Sequence, residues 1–338
     1  MKVLVYGAGV IGCYLTHVLC EAGHDVTLLA RGNWKAVLET KGLTIRHHLQ
    51  RRTTTDHPHI VGQVDFSQHY DAVFSVMSYH QVGAILDDLA AVDADTVVLV
   101  GNNLSAPDME RYLKAHSRTE KQFLFGFQLT AGKREAAYAI CERAGAGTMD
   151  IGFLHAAVPG QLKRKMEQLV GGTGYRLRWH DDMESFFKCH VAAVLPLGYL
   201  AYGADCDYKK TTRQQRRLCM DASIEGYDLL LKLGYSIVPE GDDAYYRPGP
   251  KRRVMQFVMY VMSKTVVGEL MAAAHCRHAV SEMEALDGAW AKLRRELPEF
   301  PMPSWDALHG AMPGWEALHQ RYEKKGEEHH NGTQPKST

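Results

Sequence analysis

The chain begins MKVLVYGAGVIG, and no later stretch limits its fold as tightly. Residues 2–6, KVLVY, form a short β-rich apolar run, and GAGVIG follows at once. CYLTHVLCEAG is then an amphipathic segment closed by a glycine, and HDVTLLAR reads as a second strand. A GxGxxG set between strand and helix in one β–α–β unit is the context in which that motif binds a dinucleotide. Gly7 permits the tight turn, Gly9 lets the backbone approach a pyrophosphate, and Gly12 lets the helix pack closely on the strand. The pyrophosphate is expected on the amides at the helix start. Gly7, Ala8, Gly9, Val10, Ile11 and Gly12 are therefore the candidate cofactor contacts; the alternative is a glycine-rich turn without a ligand.

The end of the second strand bears on which dinucleotide. NAD-binding units usually place Asp or Glu there, to accept hydrogen bonds from the ribose hydroxyls. This chain has Leu29-Ala30-Arg31-Gly32 instead. An arginine suits a 2′-phosphate, so NADP is favoured over NAD unless Arg31 is only a surface loop residue. DAVFSVM (71–77), DTVVLVGNN (95–103), KQFLFGFQLTA and AGTMDIGF continue as strands, with helices after residue 77 through about Leu89 and over APDMERYLKAH. Such alternation predicts an α/β, doubly wound, mostly parallel sheet of Rossmann type. Ligands of such sheets lie beyond the carboxyl ends of the strands. Met77, Ser78, Asn102 and Asn103 sit at those ends; Asn102 is a candidate for the cofactor or substrate, or simply part of a turn.

After WHDDMES the pattern turns helical, over 182–202, 211–233, 251–262 and 265–296. The expected organisation is an NADP-binding domain over residues 1–175, an all-helical substrate and catalytic domain over 176–325, and a disordered tail over 326–338. Hydrophobic residues make up 46% and charged residues 23%, and Lys plus Arg equals Asp plus Glu at 39 each. There is no basic excess for nucleic acid or an anionic membrane, and no apolar run approaches the ~20 residues of a membrane helix. The expected partner is a small molecule, with a homodimer allowed. The seven cysteines are scattered without a CxxC pair, which suits reduced thiols in the cytoplasm. The opening strand leaves no room for a signal peptide.

SFFKCHVAAVLPLGYLAY, residues 185–202, holds one lysine in an apolar run. Lys188 either snorkels to the surface or has its amine wanted in a dry place, where Phe186, Phe187, Val191 and Leu195 favour release of its proton near neutral pH. Pro196 predicts a kink or a break just beyond it. On the last long helical segment, Met271, His275, His278, Glu282, Leu286, Ala289 and Leu293 share one face at about 100° per residue. Glu282 there is either a surface carboxylate or one lining a ligand cleft; Glu284 points away as a solvated charge. His275, Cys276 and His278 crowd one turn and cannot all face one ion, so no metal is expected.

GAGVIG, Arg31, Asn102, Lys188 and Glu282, taken together, resemble the ketopantoate reductase (2-dehydropantoate 2-reductase) family, within the 6-phosphogluconate dehydrogenase-like superfamily. The resemblance runs from Met1 to about residue 296. It implies a Rossmann domain joined to a helical domain, and reduction of a 2-oxo acid with NADPH, a step of pantothenate biosynthesis. By position it places the catalytic lysine on Lys188 in FFKCHVAAV, the carboxylate on Glu282 in SEMEAL, the asparagine on Asn102 in LVGNNL and the 2′-phosphate arginine on Arg31. This chain departs from the pattern where asparagines are usual, at Ala192 and Pro196. It departs again at Ser78, where a lysine is often found, and at Asn103, where glycine is common. An opine- or hydroxy-acid-type dehydrogenase of the same superfamily, and a non-catalytic NADP-binding sensor, stay open.

Overall fold

The computed structural model describes residues 1–265, 268–269 and 273–322; Met271 and the tail over 326–338 lie outside them. The chain divides into two compact units, Met1–Glu184 and Ser185 onward.

The first unit opens with β1 (Lys2–Tyr6), α1 (Val10–Glu21), β2 (Asp25–Leu29) and α2 (Gly32–Lys41). Next come β3 (Leu43–His47), β4 (Arg52–Asp56), β5 (His59–Val61), β6 (His69–Tyr70) and β7 (Ala72–Val76). The segment after residue 77 is not one helix but α3 (Tyr79–Val82), a 3-10 turn and α4 (Leu86–Ala91). Then follow β8 (Asp93–Ala94), β9 (Thr96–Val100), α5 (Ala106–His116), β10 (Gln122–Gln128), β11 (Ala131–Arg134), β12 (Ala139–Glu142), β13 (Thr148–Gly152), α6 (Gly160–Leu169) and β14 (Arg176–His180). Eight strands form the main sheet in the order β14-β13-β10-β9-β7-β1-β2-β5. Every pairing in it is parallel except β10 with β13. The central strands are buried on both faces, which is why they read as unbroken apolar runs. This is the doubly wound Rossmann-type sheet the sequence predicts.

A second sheet, in the order β11-β12-β3-β4, was not expected. It packs against α1, and His17 of that helix pairs with Asp56 of β4 at 2.8 Å. Helix α1 therefore lies between two sheets.

The second unit is all-helical among its described residues: α7 (Met183–Gly203, which starts just before the unit boundary), α8 (Arg213–Lys232), α9 (Pro250–Met262), α10 (Ala274–His278), α11 (Val280–Arg294), α12 (Pro303–Gly310) and α13 (Trp315–Tyr322). Trp290 of α11 stacks on Trp305 of α12, and the Glu225 carboxylate of α8 accepts the amides of Ser304 and Trp305 at the start of α12. Two expectations need correction. Of the kink or break expected at Pro196, the break does not occur: α7 continues to Gly203. The segment 265–296 is not one helix: it breaks at Ala279, where φ is −127° and ψ 32°. The His278 ring takes the carbonyl of Ala274, and the Tyr202 hydroxyl donates to that of Cys276. The Cys276 carbonyl, which an unbroken helix would give to the amide of Val280, is thus held by a side chain instead. The break separates His275 and His278 from the face that Glu282, Leu286, Ala289 and Leu293 still share on α11.

Candidate functional site

Strands β1, β7 and β9 run in register side by side, Tyr6 beside Ser75 and Val76 beside Val100. Their carboxyl ends therefore release three loops next to one another: Gly7–Gly9, Met77–Ser78 and Gly101–Asn103. The glycines of the first loop each do what their position requires. Gly7 has φ +117°, and a Cβ there would lie 2.3 Å from the Val76 carbonyl oxygen. A Cβ on Gly12 would lie 1.9 Å from the Gly7 oxygen, so only glycine lets α1 start this close to the strand. A Cβ on Gly9 would meet nothing within 4 Å; the space above it is open. No side chain caps the amides at the start of α1, which leaves them to a ligand or to water. Ala8, Val10 and Ile11 complete the turn.

Arg31, exposed at the end of β2, is the N-cap of α2 and donates from Nη2 to the Tyr6 hydroxyl at 3.0 Å. Tyr6 in turn donates to Asp88 of α4 at 2.9 Å. Burial, and after it the contact with Asp88, pushes the Tyr6 phenol up to about 12, so it stays a donor to Asp88 and an acceptor for Arg31. This relay holds the guanidinium at the corner where an adenosine ribose lies in such folds. Nothing in the sequence beyond the apolar run of β1 pointed to Tyr6.

Asn102 and Asn103 separate sharply. Asn103 closes the turn into α5: its Oδ1 accepts the Ser105 amide at 3.1 Å and its Nδ2 reaches the Met109 sulfur. Asn102 is 7% exposed, and its side-chain oxygen has no hydrogen-bond partner among the described residues. Met77, Val82, Leu99, Val100, Gly101 and Asn103 lie around it at the strand ends. A buried polar atom without a partner is costly, and a ligand amide or hydroxyl would satisfy it. The open space over Gly9, the uncapped helix start and the unpartnered Asn102 oxygen all fit a dinucleotide. Met77 and Ser78 stand half-buried beside them.

In the second unit Lys188 is 4% exposed on α7, so it does not snorkel, and its ammonium lies 4.3 Å from the centre of the Tyr235 ring. Phe186, Phe187, Val191 and Leu195 around it are all buried. Ala192 is fully buried and faces Gly226 of α8, where a Cβ would come within 3.1 Å of its own; the position belongs to helix packing. Glu282 sits half-buried in the first turn of α11, where a carboxylate is favoured by the helix dipole. Glu284 is exposed and pairs with His319.

The sheet and its glycine turn define a Rossmann-class protein. Residues 3–155, a little under half of the chain, match the family model described as "Ketopantoate reductase PanE/ApbA", so this part of the chain is similar to that family. The "Uncharacterized oxidoreductase YkpB" of Bacillus subtilis (strain 168) is 32% identical over 89 residues; the match takes in 26% of this chain and 28% of that protein's length. The PanE/ApbA family ketopantoate reductase of Ralstonia eutropha JMP134 superposes with a TM-score of 0.70 at 16% identity, covering 96% of this chain and all of its own. D-mandelate dehydrogenase, in a ternary structure with NADH and anilino(oxo)acetate, superposes at 0.68 and 14% identity, covering 96% of this chain and 99% of that one. At these identities the two structures establish the fold.

Proposed function

We propose that the protein is an NADPH-dependent reductase that converts a 2-oxo acid, ketopantoate or a related compound, to the 2-hydroxy acid. The observation that carries the reading is Lys188, an ammonium buried among apolar side chains and held under an aromatic ring. When bound, the dinucleotide supplies hydride to the substrate carbonyl carbon. Lys188 stabilises the negative charge that develops on the carbonyl oxygen and gives that oxygen a proton. Glu282 orients the substrate hydroxyl or helps to hold the lysine. Asn102 fixes the nicotinamide end through its buried amide, and Arg31, braced by Tyr6, takes the 2′-phosphate. The first unit serves as the nucleotide-binding domain and the second as the substrate domain, and a homodimer is allowed.

The likeness to D-mandelate dehydrogenase favours one second reading, a hydroxy-acid dehydrogenase of the same plan that uses NADH. Ala192 and Pro196, where the family usually has asparagines, leave room for a substrate less polar than ketopantoate. The test is NADPH and NADH oxidation followed by absorbance with ketopantoate and a panel of branched, aromatic and acidic 2-oxo acids, for wild type and Lys188→Ala. Replacement of the lysine is expected to lower kcat by about 10²–10⁴-fold with NADPH affinity kept. Full turnover in the mutant would remove Lys188 from the chemistry. Tight binding with no turnover across the panel would favour the sensor.

A further inference from the structure

The second sheet brings an unassigned cation to the glycine turn. Strand β11 is the edge of that sheet and lies over the start of α1. Gly132 makes the approach possible: its φ is +143°, and a Cβ there would lie 1.9 Å from the Ile140 oxygen and 3.1 Å from Cγ1 of Val10. Side chains two apart on a strand share a face, so Arg134 follows Gly132 toward the turn. Its Nη1 donates to the Ala8 carbonyl at 3.4 Å, and its guanidinium lies 5.6 Å from the centre of the Trp34 ring. Ala8 belongs to the pyrophosphate turn. Trp34 belongs to the first turns of α2, three residues beyond Arg31. Arg134 is exposed, and no carboxylate pairs with it among the described residues. One long hydrogen bond to a carbonyl leaves most of its five donors unused.

We propose that Arg134 is a phosphate ligand for the adenosine half of the dinucleotide, a second guanidinium acting beside Arg31. The inference rests on the dinucleotide reading of the glycine turn. Guanidinium groups bind phosphate with paired N–H donors, and the Trp34 face holds the plane of this one in place. The Ala8 contact is the weak bond that a phosphate oxygen replaces.

The test is calorimetric titration of NADPH, NADH and 2′,5′-ADP into wild type, Arg134→Gln, Arg134→Lys and Arg31→Gln, each at several salt concentrations. Arg134→Gln is expected to weaken NADPH roughly 10- to 100-fold, the equivalent of one charged hydrogen bond. The salt dependence of Kd should flatten with it, a change that a purely structural role would not produce. Arg134→Lys, which keeps the charge, should recover part of the loss. A loss confined to NADPH and 2′,5′-ADP puts the guanidinium on the 2′-phosphate, whereas an equal loss for NADPH and NADH puts it on the pyrophosphate. Unchanged affinity for all three ligands in Arg134→Gln, with Arg31→Gln impaired, overturns the proposal and leaves the dinucleotide site standing. Wild type that binds none of them overturns both. Should Arg134→Gln lower the melting temperature of the unliganded protein, the salt dependence of Arg134→Lys carries the test.

Discussion

Lys121 and Lys188 are both buried lysines with different surroundings. Lys121 is 8% exposed, and its ammonium donates to the carbonyls of Ala90 and Val92 at 2.9 and 2.5 Å and, at greater length, to that of Leu89. These are the open carbonyls at the end of α4, where a cation also meets the negative end of the helix dipole. Burial pushes its pKa down, and Asp93 opposes that. Its donors are fully engaged by backbone, so it is a structural cap. Lys121→Met is expected to lower stability by about 1–3 kcal/mol, read from urea unfolding, with NADPH affinity unchanged. Lys188 lies against the ring of Tyr235. The apolar run around residue 188 announced burial, and burial is what the structure has. In the sequence Lys121 was only the first residue of a strand, because its partners lie on α4, some thirty residues earlier.

At the scale of the element, the glycine turn separates fold from binding. Gly9 has an extended backbone that any residue adopts and open space where its Cβ would go. Gly9→Ala should therefore keep its melting temperature and lose cofactor, since the methyl occupies the ground the pyrophosphate needs. Gly12→Ala should lose stability as well, because its Cβ cannot coexist with the Gly7 oxygen. Thermal unfolding beside NADPH titration separates the two; equal behaviour of both mutants would contradict this division. The same contrast explains what could be read in advance. β1, β2, β7, β9 and β10 were legible because strands buried on both faces leave continuous apolar runs. The second sheet was not. Its strands RTTTD and AGKR are mostly exposed and polar, and its parallel pairing joins Ile45 to Ala139 across ninety-odd residues. β14, RLRWH, is an edge strand with alternating charge and carries the first unit past residue 175 to its end at Glu184. The break at Ala279 has no glycine or proline to announce it; it depends on Tyr202, a residue of another helix. For the same reason Arg31 was visible as a candidate while Tyr6 and Arg134 were not: one is marked by its place after a strand, the others by what lies across from them.

On the scale of the whole molecule, the second unit carries a polar hub whose effect should appear in the pH dependence of unfolding. Asp287 of α11 accepts from the Tyr199 hydroxyl, from Trp315 Nε1 at 2.9 Å and from His309 Nε2 at 3.3 Å, so it ties together α7, α11, α12 and α13. Burial alone would raise its carboxyl, but the hydrogen bonds from His309, Tyr199 and Trp315 together hold it below the usual carboxylate range. The bond to Asp287 raises the His309 imidazole in turn, against its partial burial. A depressed carboxylate contributes stability that is present above about pH 3.9 and lost as pH falls through its lower folded value. A raised histidine contributes stability that is present below about pH 6.5 and lost as pH rises through its higher folded value. Both contributions are in place between about pH 4 and 6.5. The melting temperature of Asp287→Asn should therefore fall furthest below wild type in that window. The gap should close strongly on the acid side and only slightly on the alkaline side, because the His309 side chain is half exposed and screened. A gap independent of pH would mean that packing, and not the charge, is what the hub contributes.

Helix α1, held between two sheets, also sets the order in which this protein can be assembled. The glycine turn leaves the ribosome before its neighbours β2 and β7. Strands β11 and β12, which close over the other flank of α1 by pairing with β3, are made only after residue 130. Until then a growing chain carries the glycine turn with one side of its helix uncovered and without the strand that brings Arg134 to it. The flank of α1 that β11 and β12 cover is thus closed only once most of the first unit has been made.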